Sequence, residues 1–598
     1  MKKTLSIIMS ICMILSVCFF TVSAAEANVG SVAAGYTPEG TPITNAAEFA
    51  AMAADGVYYL ANDITIDATW NAGAAVSATY KENTAFTGTL DGNGKTVTTT
   101  APLFANLQGT VKNMTITGAI DGNGLNCGAV SMWTNGAITV ENVTNKATIT
   151  NAVTVGGMLG YGATGTAGNF VNCVNDADLT ATSQIGGIVG YVQDYTVNIT
   201  NCVNNGNLTT DNYGAGIIGR FGRDKAAAPN SLATIIGCVN NGKVVSAKSQ
   251  SGGILGYLVG GTVIKDCVNN GEVVNLAQTA GGIFGATSTT ENVTTISIEN
   301  CVNYGKVVSV GIAGGIGGRV GRGAAYSEGN YFIKNCVNFG EIVVTTTEAY
   351  TSSIYVGGIA GYAYGGTANG LVNCVNLGTV TVDSTLGERN PEYDFCVGGV
   401  LGYVNSSTYE FKNNINAGNV NAIGDFTAVA LTLYNKNAEA TAIANNYSVA
   451  IAGIAVAYTG DKAADPATFA EATAFATAVE AEKIANGTVA GLINEAAGAT
   501  IYYQAIGTDK APVLTAAADG SNEIVKNADG TFGNPVKEPE TTEPAPETTE
   551  PAPETTEPAP ETTEPGASTE TGDSFVIFAA IAAISVLGVA VVAKRREN

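Results

Sequence analysis

Histidine is absent from all 598 residues, and that one gap removes much of enzymology. Without an imidazole there is no Ser-His-Asp triad, no Cys-His dyad and no HExxH zinc site. Charge is scarce too, at 13% of residues, and lopsided: 27 Lys+Arg against 51 Asp+Glu give a formal net charge of −24. Such a chain is poorly suited to gripping phosphate backbones, so no nucleic-acid partner is expected. Long amphipathic helical periods are missing from 85 to 455. What fills that space is glycine, 74 residues of it, between short runs of Val, Ile and Thr. Those runs suit strands, and the Asn and Gly that follow them suit tight turns.

The two ends predict an address. Met1-Lys2-Lys3 precedes an apolar run, Thr4 to Val22, and then small residues Ser23, Ala24 and Ala25. Residues 1–25 therefore read as a secretory signal. At the other end, 574–593 reads as a transmembrane helix, apolar for the 19 residues from Phe575 to Ala593. A basic tail, 594–598, begins Lys594-Arg595-Arg596 and places the bulk of the chain, N-terminus included, outside the cell. Between head and membrane, 537–573 carries ETTEPAP at 540–546, 547–553 and 554–560. Proline and mutually repelling glutamates predict a disordered, extended acidic stalk, on the order of 100 Å when fully stretched at ~3.1 Å per residue. Thr571-Gly572-Asp573, the apolar span and the basic end resemble the cell-wall sorting signal of Gram-positive surface proteins. The Leu-Pro pair of that signal is missing before Thr571, which leaves plain membrane anchoring.

Two short phrases alternate through the middle. One is glycine-rich: GGMLGY 156–161, GGIVGY 186–191, AGIIGR 215–220, GGILGY 252–257, GGIFGA 281–286, GGIGGR 314–319, GGIAGY 357–362 and GGVLGY 398–403. The other is NCVN 172–175, NCVNNG 201–206, GCVNNG 237–242, DCVNNG 266–271, NCVNYG 300–305, NCVNFG 335–340 and NCVNLG 373–378, with NNINAG 413–418 as a cysteine-free copy. Periods of 29 to 43 residues signal a solenoid or array. Units this short and glycine-rich cannot bury a core alone, so they are expected to stack as a parallel β-solenoid spanning 85–455. Cap regions are expected at 26–84, with a short helix at Asn45–Ala54, and at 456–536, with a helix at Asp465–Asn486.

The phrases resemble GLUG-type repeats of bacterial surface proteins, also found in the non-catalytic part of IgA-specific metallopeptidases. FTGTLDGNGKTV at 86–97 and PLFANLQGTVKNMTITG at 102–118 resemble their opening coils. NNYSVA at 445–450 and the segment 486–514 resemble their closing part. Covering roughly 40–515, the resemblance implies a right-handed β-helix, all-β but for small helical caps. It does not imply protease activity, since the zinc motif of that family lies outside the repeats.

Several positions are candidates for chemistry. Cys173, Cys202, Cys238, Cys267, Cys301, Cys336 and Cys374 share one repeat position, while Cys127 and Cys396 lie elsewhere. Single, regularly spaced cysteines in a stack read as an inward apolar ladder rather than disulfides or a metal site. Asn204, Asn240, Asn269, Asn303, Asn338 and Asn376 read as a turn-stabilising amide ladder. The DGNG phrases at 91–94 and 121–124 lack the further ligands of a calcium loop and read as turns. Glu388, Glu392 and Asp394 form the densest acid group, the place to look for carboxylate catalysis. The last position of the glycine phrase is Tyr161, Tyr191, Arg220, Tyr257, Ala286, Arg319, Tyr362 and Tyr403. Stacking would align these along the axis, where exposed tyrosines and arginines suit sugar rings or a partner protein.

The sequence thus reads as a Gram-positive, membrane-anchored cell-surface adhesion or binding protein, not an enzyme, with no cofactor and no metal. Its expected partner is an extracellular glycan or matrix protein. The rival readings are a β-helix carbohydrate-active lyase or hydrolase and a structural envelope protein with no soluble ligand.

Overall fold

The computed structural model describes residues 29–535 except 73–77, 164, 224–230, 289–294, 322–329, 347–351, 365–368, 384–393, 407–408, 424–425, 436–441 and 461–469. The expected signal, stalk, membrane span and basic tail lie outside the described residues. Among the described residues no helix is long and apolar enough to cross a membrane.

The coil at 195–221 shows the plan. Its five strands are Tyr195–Thr200, Val203–Asn204, Leu208–Thr210, Tyr213–Ala215 and Ile218–Phe221. Each pairs in parallel with its counterpart one coil later: Ile199 with Ile235, Asn204 with Asn240, Leu208 with Val244, Ala215 with Gly252 and Arg220 with Tyr257. The result is the expected parallel β-solenoid. Fourth strands stack into a 10-stranded sheet and fifth strands into a 13-stranded one. Along the first strand Tyr195, Val197 and Ile199 are buried while Thr196, Asn198 and Thr200 are not, the period-two pattern of a sheet with one face in the core.

Three asparagine devices make the corners. Asn172, Asn201, Asn300, Asn335, Asn373 and Asn413 have positive φ, as do Gly237 and Asp266 at the equivalent place, because the chain must turn sharply after the first strand. Their amides link coils backwards: Asn335 Nδ2 donates to Asn300 Oδ1 at 3.1 Å and Asn373 Nδ2 to Asn335 Oδ1 at 2.9 Å. A second, fully buried ladder runs the other way. From Asn145 to Asn416 each Nδ2 donates to the asparagine of the next coil or, at the last step, to Ser448 Oγ. On the exposed side Asn241 and Asn270 repeat the device, each donating to the coil before at 2.8 Å.

The glycine phrase packs directly on the buried ladder. A Cβ on Gly187 would lie 2.2 Å from Gly216 O and 2.5 Å from Asn204 Oδ1. The two phrases are therefore halves of one packing unit. Cysteine sits inside the same corner. The nine described cysteines are buried and free, and ladder thiols rest against backbone carbonyls, as Cys267 Sγ does 3.2 Å from Lys265 O.

The caps differ in how well the sequence foretold them. Helix α1, Ala46–Ala50, falls within the expected segment; Asn45 Oδ1 accepts from Glu48 N at 3.1 Å, and Phe49 is buried. At the other end the expected helix over Asp465–Asn486 is found only in its last turn, Ala481–Ala485, and the rest is corrected. Residues 461–469 lie outside the described set, Thr477–Val479 is a strand, and the helices are α2, Ala481–Ala485, and α3, Thr488–Ala497. Pairing decided this: Thr477–Val479 adds a parallel rung to Tyr447–Val449, and the gain from that rung outweighs the helical propensity of an alanine-rich run. Val489, Ala490 and Ile493 of α3 pack with Tyr502 against the outward stripe Val302, Val337, Val375 and Ile415, and Tyr502 OH donates to Asn413 O at 2.7 Å. The segment 480–514 is thus seated on the flank of the solenoid.

Candidate functional site

The glycine phrase turns tightly enough to fold each fifth strand back towards the fourth. Glycine is required at the contact: a Cβ on Gly190 would lie 2.7 Å from both Val155 O and Gly160 O. On the outer face two rows of side chains then run side by side along the axis, the last residue of the phrase and the residue two places before the phrase. The seam between the rows, closed where Tyr355 meets Tyr362 at 4.6 Å, is called the cleft.

The expected line of side chains exists. In-register pairing runs Trp133, Tyr161, Tyr191, Arg220, Tyr257, Ala286, Arg319, Tyr362, Tyr403, one step per coil. Tyr161 and Tyr191 meet edge-on with centroids 5.2 Å apart. Arg220 lies 5.1, 4.9 and 5.6 Å from the ring centroids of Tyr191, Tyr213 and Tyr257. Lys81 Nζ stands 5.1 Å from the Tyr161 ring and 5.7 Å from that of Tyr80. Arg223 pairs with Asp194 at 2.8 Å beside the same coils.

Exposure along the line is uneven, and here the expectation is corrected. Tyr161, Tyr191, Arg220 and Arg319 are half-buried, but Tyr257, Tyr362 and Tyr403 are 3%, 8% and 0% exposed. The cause is a ring of the opposite row, from the same coil or the one before. Tyr213 stacks on Tyr257 at 5.2 Å, and Tyr355 covers Tyr362 at 4.6 Å and Tyr403 at 6.1 Å. Where the opposite residue is Thr154 or Gln184, the ring remains half-open. Burial pushes the Tyr161 and Tyr362 phenols up to about 12, so both stay neutral at physiological pH and formal charge along the line comes from Lys and Arg.

Tyr213, Tyr355, Lys81 and Arg223 were not anticipated. Their only signal is position relative to the phrase, and that has meaning only once the cleft is known. Of the acid group, Glu388 and Glu392 lie outside the described residues. Asp394 is 6% exposed and accepts the Tyr355 hydroxyl at 2.6 Å, so it holds a ring of the buried wall in place. The DGNG carboxylates make turns: Asp91 Oδ1 accepts from Asn93 N at 2.8 Å with Lys112 Nζ 3.5 Å from Oδ2, and Asp121 Oδ1 accepts from Asn123 N at 2.9 Å. Among the described residues no group of three or more acids and cysteines is placed to hold a metal.

No family model matches the chain. A stretch of 158 residues, 22% of the chain, is 32% identical to halomucin of Haloquadratum walsbyi and spans 2% of that protein's length. Among solved structures, an immunoglobulin A1 protease-like protein of Bacteroides ovatus aligns with 51% of this chain and 79% of its own, at 18% identity and a TM-score of 0.28.

Proposed function

We propose that this is a surface repeat protein that binds an extracellular glycan or matrix protein through the half-open part of the cleft. The observation that carries the reading is the Tyr161–Tyr191–Arg220 segment, three in-register side chains left half-exposed on a rigid scaffold. Neutral phenol rings present flat apolar faces for sugar rings, and the hydroxyls can accept hydrogen bonds, that of Tyr191 already donating to Gly222 O at 3.3 Å. Repetition along the axis adds contacts without adding flexibility, and display of many copies raises avidity. The local likeness to halomucin supports a surface setting, as do the expected signal, stalk and membrane span. In this reading the protein acts at the cell surface, with no catalytic step.

The test presents the full-length protein to immobilised polysaccharides and matrix proteins and reads both bound protein and released reducing ends. Binding without release is expected, weakened at least about tenfold by Tyr161→Ala with Tyr191→Ala, the loss of two stacking faces. Tyr257→Ala would be a poor probe because that ring is buried. Release of sugar would overturn the reading in favour of a carbohydrate-active enzyme. Silence on both channels would favour a structural envelope protein.

A further inference from the structure

Arginine is rare in this chain and its placement is not random. There are seven: two in the basic tail, and Arg220, Arg223, Arg319, Arg322 and Arg389 in the repeat region. Four of those five fall in two copies of one motif, GRFGR at 219–223 and GRVGR at 318–322. In each copy the first arginine takes the ladder position most often held by tyrosine. Arg220 and Arg319 are three coil steps apart, roughly 14 Å at ~4.8 Å per step. Lys81, at the Tyr161 ring, extends the same row of cations towards the first coils.

We infer that the cleft recognises a linear polysaccharide bearing sulfate or carboxylate groups. This rests on the binding reading above and narrows it to an anionic ligand. Two observations carry it. The first is chemical: Arg220 lies among three tyrosine rings, 4.9 to 5.6 Å from their centroids, and a guanidinium is the side chain suited to meeting an oxyanion bidentately. A lysine would supply charge without that bidentate contact. The second is electrostatic: the chain as a whole, at −24, repels polyanions, so anion binding demands a local reversal of sign. The row Lys81, Arg220, Arg319 places three cations on the face that also carries the half-open rings, where Asp194 is paired with Arg223. Tyrosine stacking and periodic cations together fit a ligand with sugar rings and repeated negative groups.

The experiment measures binding of the full-length protein to heparin, N- and O-desulfated heparin, polygalacturonate and neutral dextran. Expected are binding to heparin or polygalacturonate, at least about tenfold weaker binding to neutral dextran, and a similar loss between 50 and 500 mM NaCl. Arg220→Gln with Arg319→Gln should cost about tenfold or more, with Arg220→Lys intermediate. Should the double variant fail to fold, Lys81→Gln at an exposed side chain gives the same comparison with a smaller loss. Equal binding of charged and neutral glycans, abolished by Tyr161→Ala with Tyr191→Ala but indifferent to the arginines, would overturn this inference and leave the glycan-binding reading standing. Polyanion binding indifferent to all the cleft variants would overturn it by placing the site elsewhere. Binding to nothing on the panel would overturn it too, and would leave the matrix-protein arm of the binding reading standing.

Discussion

Replacing Asn269 tests the buried amide ladder at its centre. The side chain is fully buried and makes three hydrogen bonds: Nδ2 donates to Gly271 O at 2.9 Å and to Asn303 Oδ1 at 2.7 Å, and Oδ1 accepts from Asn240 Nδ2 at 2.8 Å. Alanine removes all three. At about 1 kcal/mol net per bond, with a further penalty for polar groups left buried without a partner, Asn269→Ala should cost about 3–5 kcal/mol. The lower end is favoured at one contact, because Asn240 Nδ2 keeps its bond to Gly242 O. Aspartate is the sharper probe. It matches asparagine in shape but turns the atom facing Gly271 O and Asn303 Oδ1 from a donor into an acceptor. An ionised carboxylate there is both desolvated and set against two oxygens, so its folded pKa must rise above the unfolded value of about 3.9.

The sign of the pH dependence follows. A carboxyl whose folded pKa is raised retains its stability below the unfolded pKa and loses it as pH rises towards the folded one. Asn269→Asp should therefore be nearest wild type at pH 3 and fall progressively behind by pH 7, while Asn269→Ala keeps a constant deficit relative to wild type. The assay is thermal and urea unfolding of the full chain at both pH values, with amide exchange read over 238–275. Coils contact only their neighbours, so the damage should appear as early local opening of that stretch rather than a uniform shift. The reasoning is refuted if Asn269→Ala costs less than about 1 kcal/mol or if Asn269→Asp tracks wild type from pH 3 to 7.

Two other expectations follow from the same corner. The nine described cysteines are buried out of reach of solvent, so in the folded protein none of them should react with a thiol reagent at pH 8; reactivity should appear only in step with unfolding. Gly253→Ala would set a Cβ 2.1 Å from Gly282 O and 2.4 Å from Asn269 Cγ, both part of the packed corner, and should cost roughly 3 kcal/mol, read as a lower unfolding midpoint; a neutral result would mean the corner is looser than described.

Much of the fold was legible because each repeat carries its own packing instructions. Asn204 and Gly187 belong to different phrases, 17 positions apart in chain numbering, yet they touch. Alternation of the phrases is the trace of that contact. Register was legible for the same reason: equivalent positions such as Tyr191 and Arg220 lie one above the other. The C-terminal helix was misplaced because Thr477–Val479 takes its conformation from a distant partner, Tyr447–Val449, which local composition does not encode. The exposure of the tyrosines was misjudged for a related reason. It depends on a side chain across the cleft, and no periodicity in the sequence says that the fourth and fifth strands fold towards each other on their outer faces.

That opposite wall gives the ladder its asymmetry. One backbone design, repeated, presents the same position in every coil, yet the rings packed on it from the same coil or the one before set what becomes of it. Gln184 and Thr154 leave Tyr191 and Tyr161 half-open; Tyr355 seals Tyr362 and Tyr403 into an apolar cluster with Cys396 and Leu433. Towards the C-terminal coils the tyrosines thus act as outer core and add stability; towards the N-terminal coils the same residue type remains accessible. Arg220 stands where the two regimes meet, over one open ring, Tyr191, and one sealed ring, Tyr257. A scaffold with identical coils could only offer an identical surface along its length. Varying the opposing residue while keeping the glycine turn allows a site to be cut into a stack without disturbing the ladders of asparagine and cysteine beneath it.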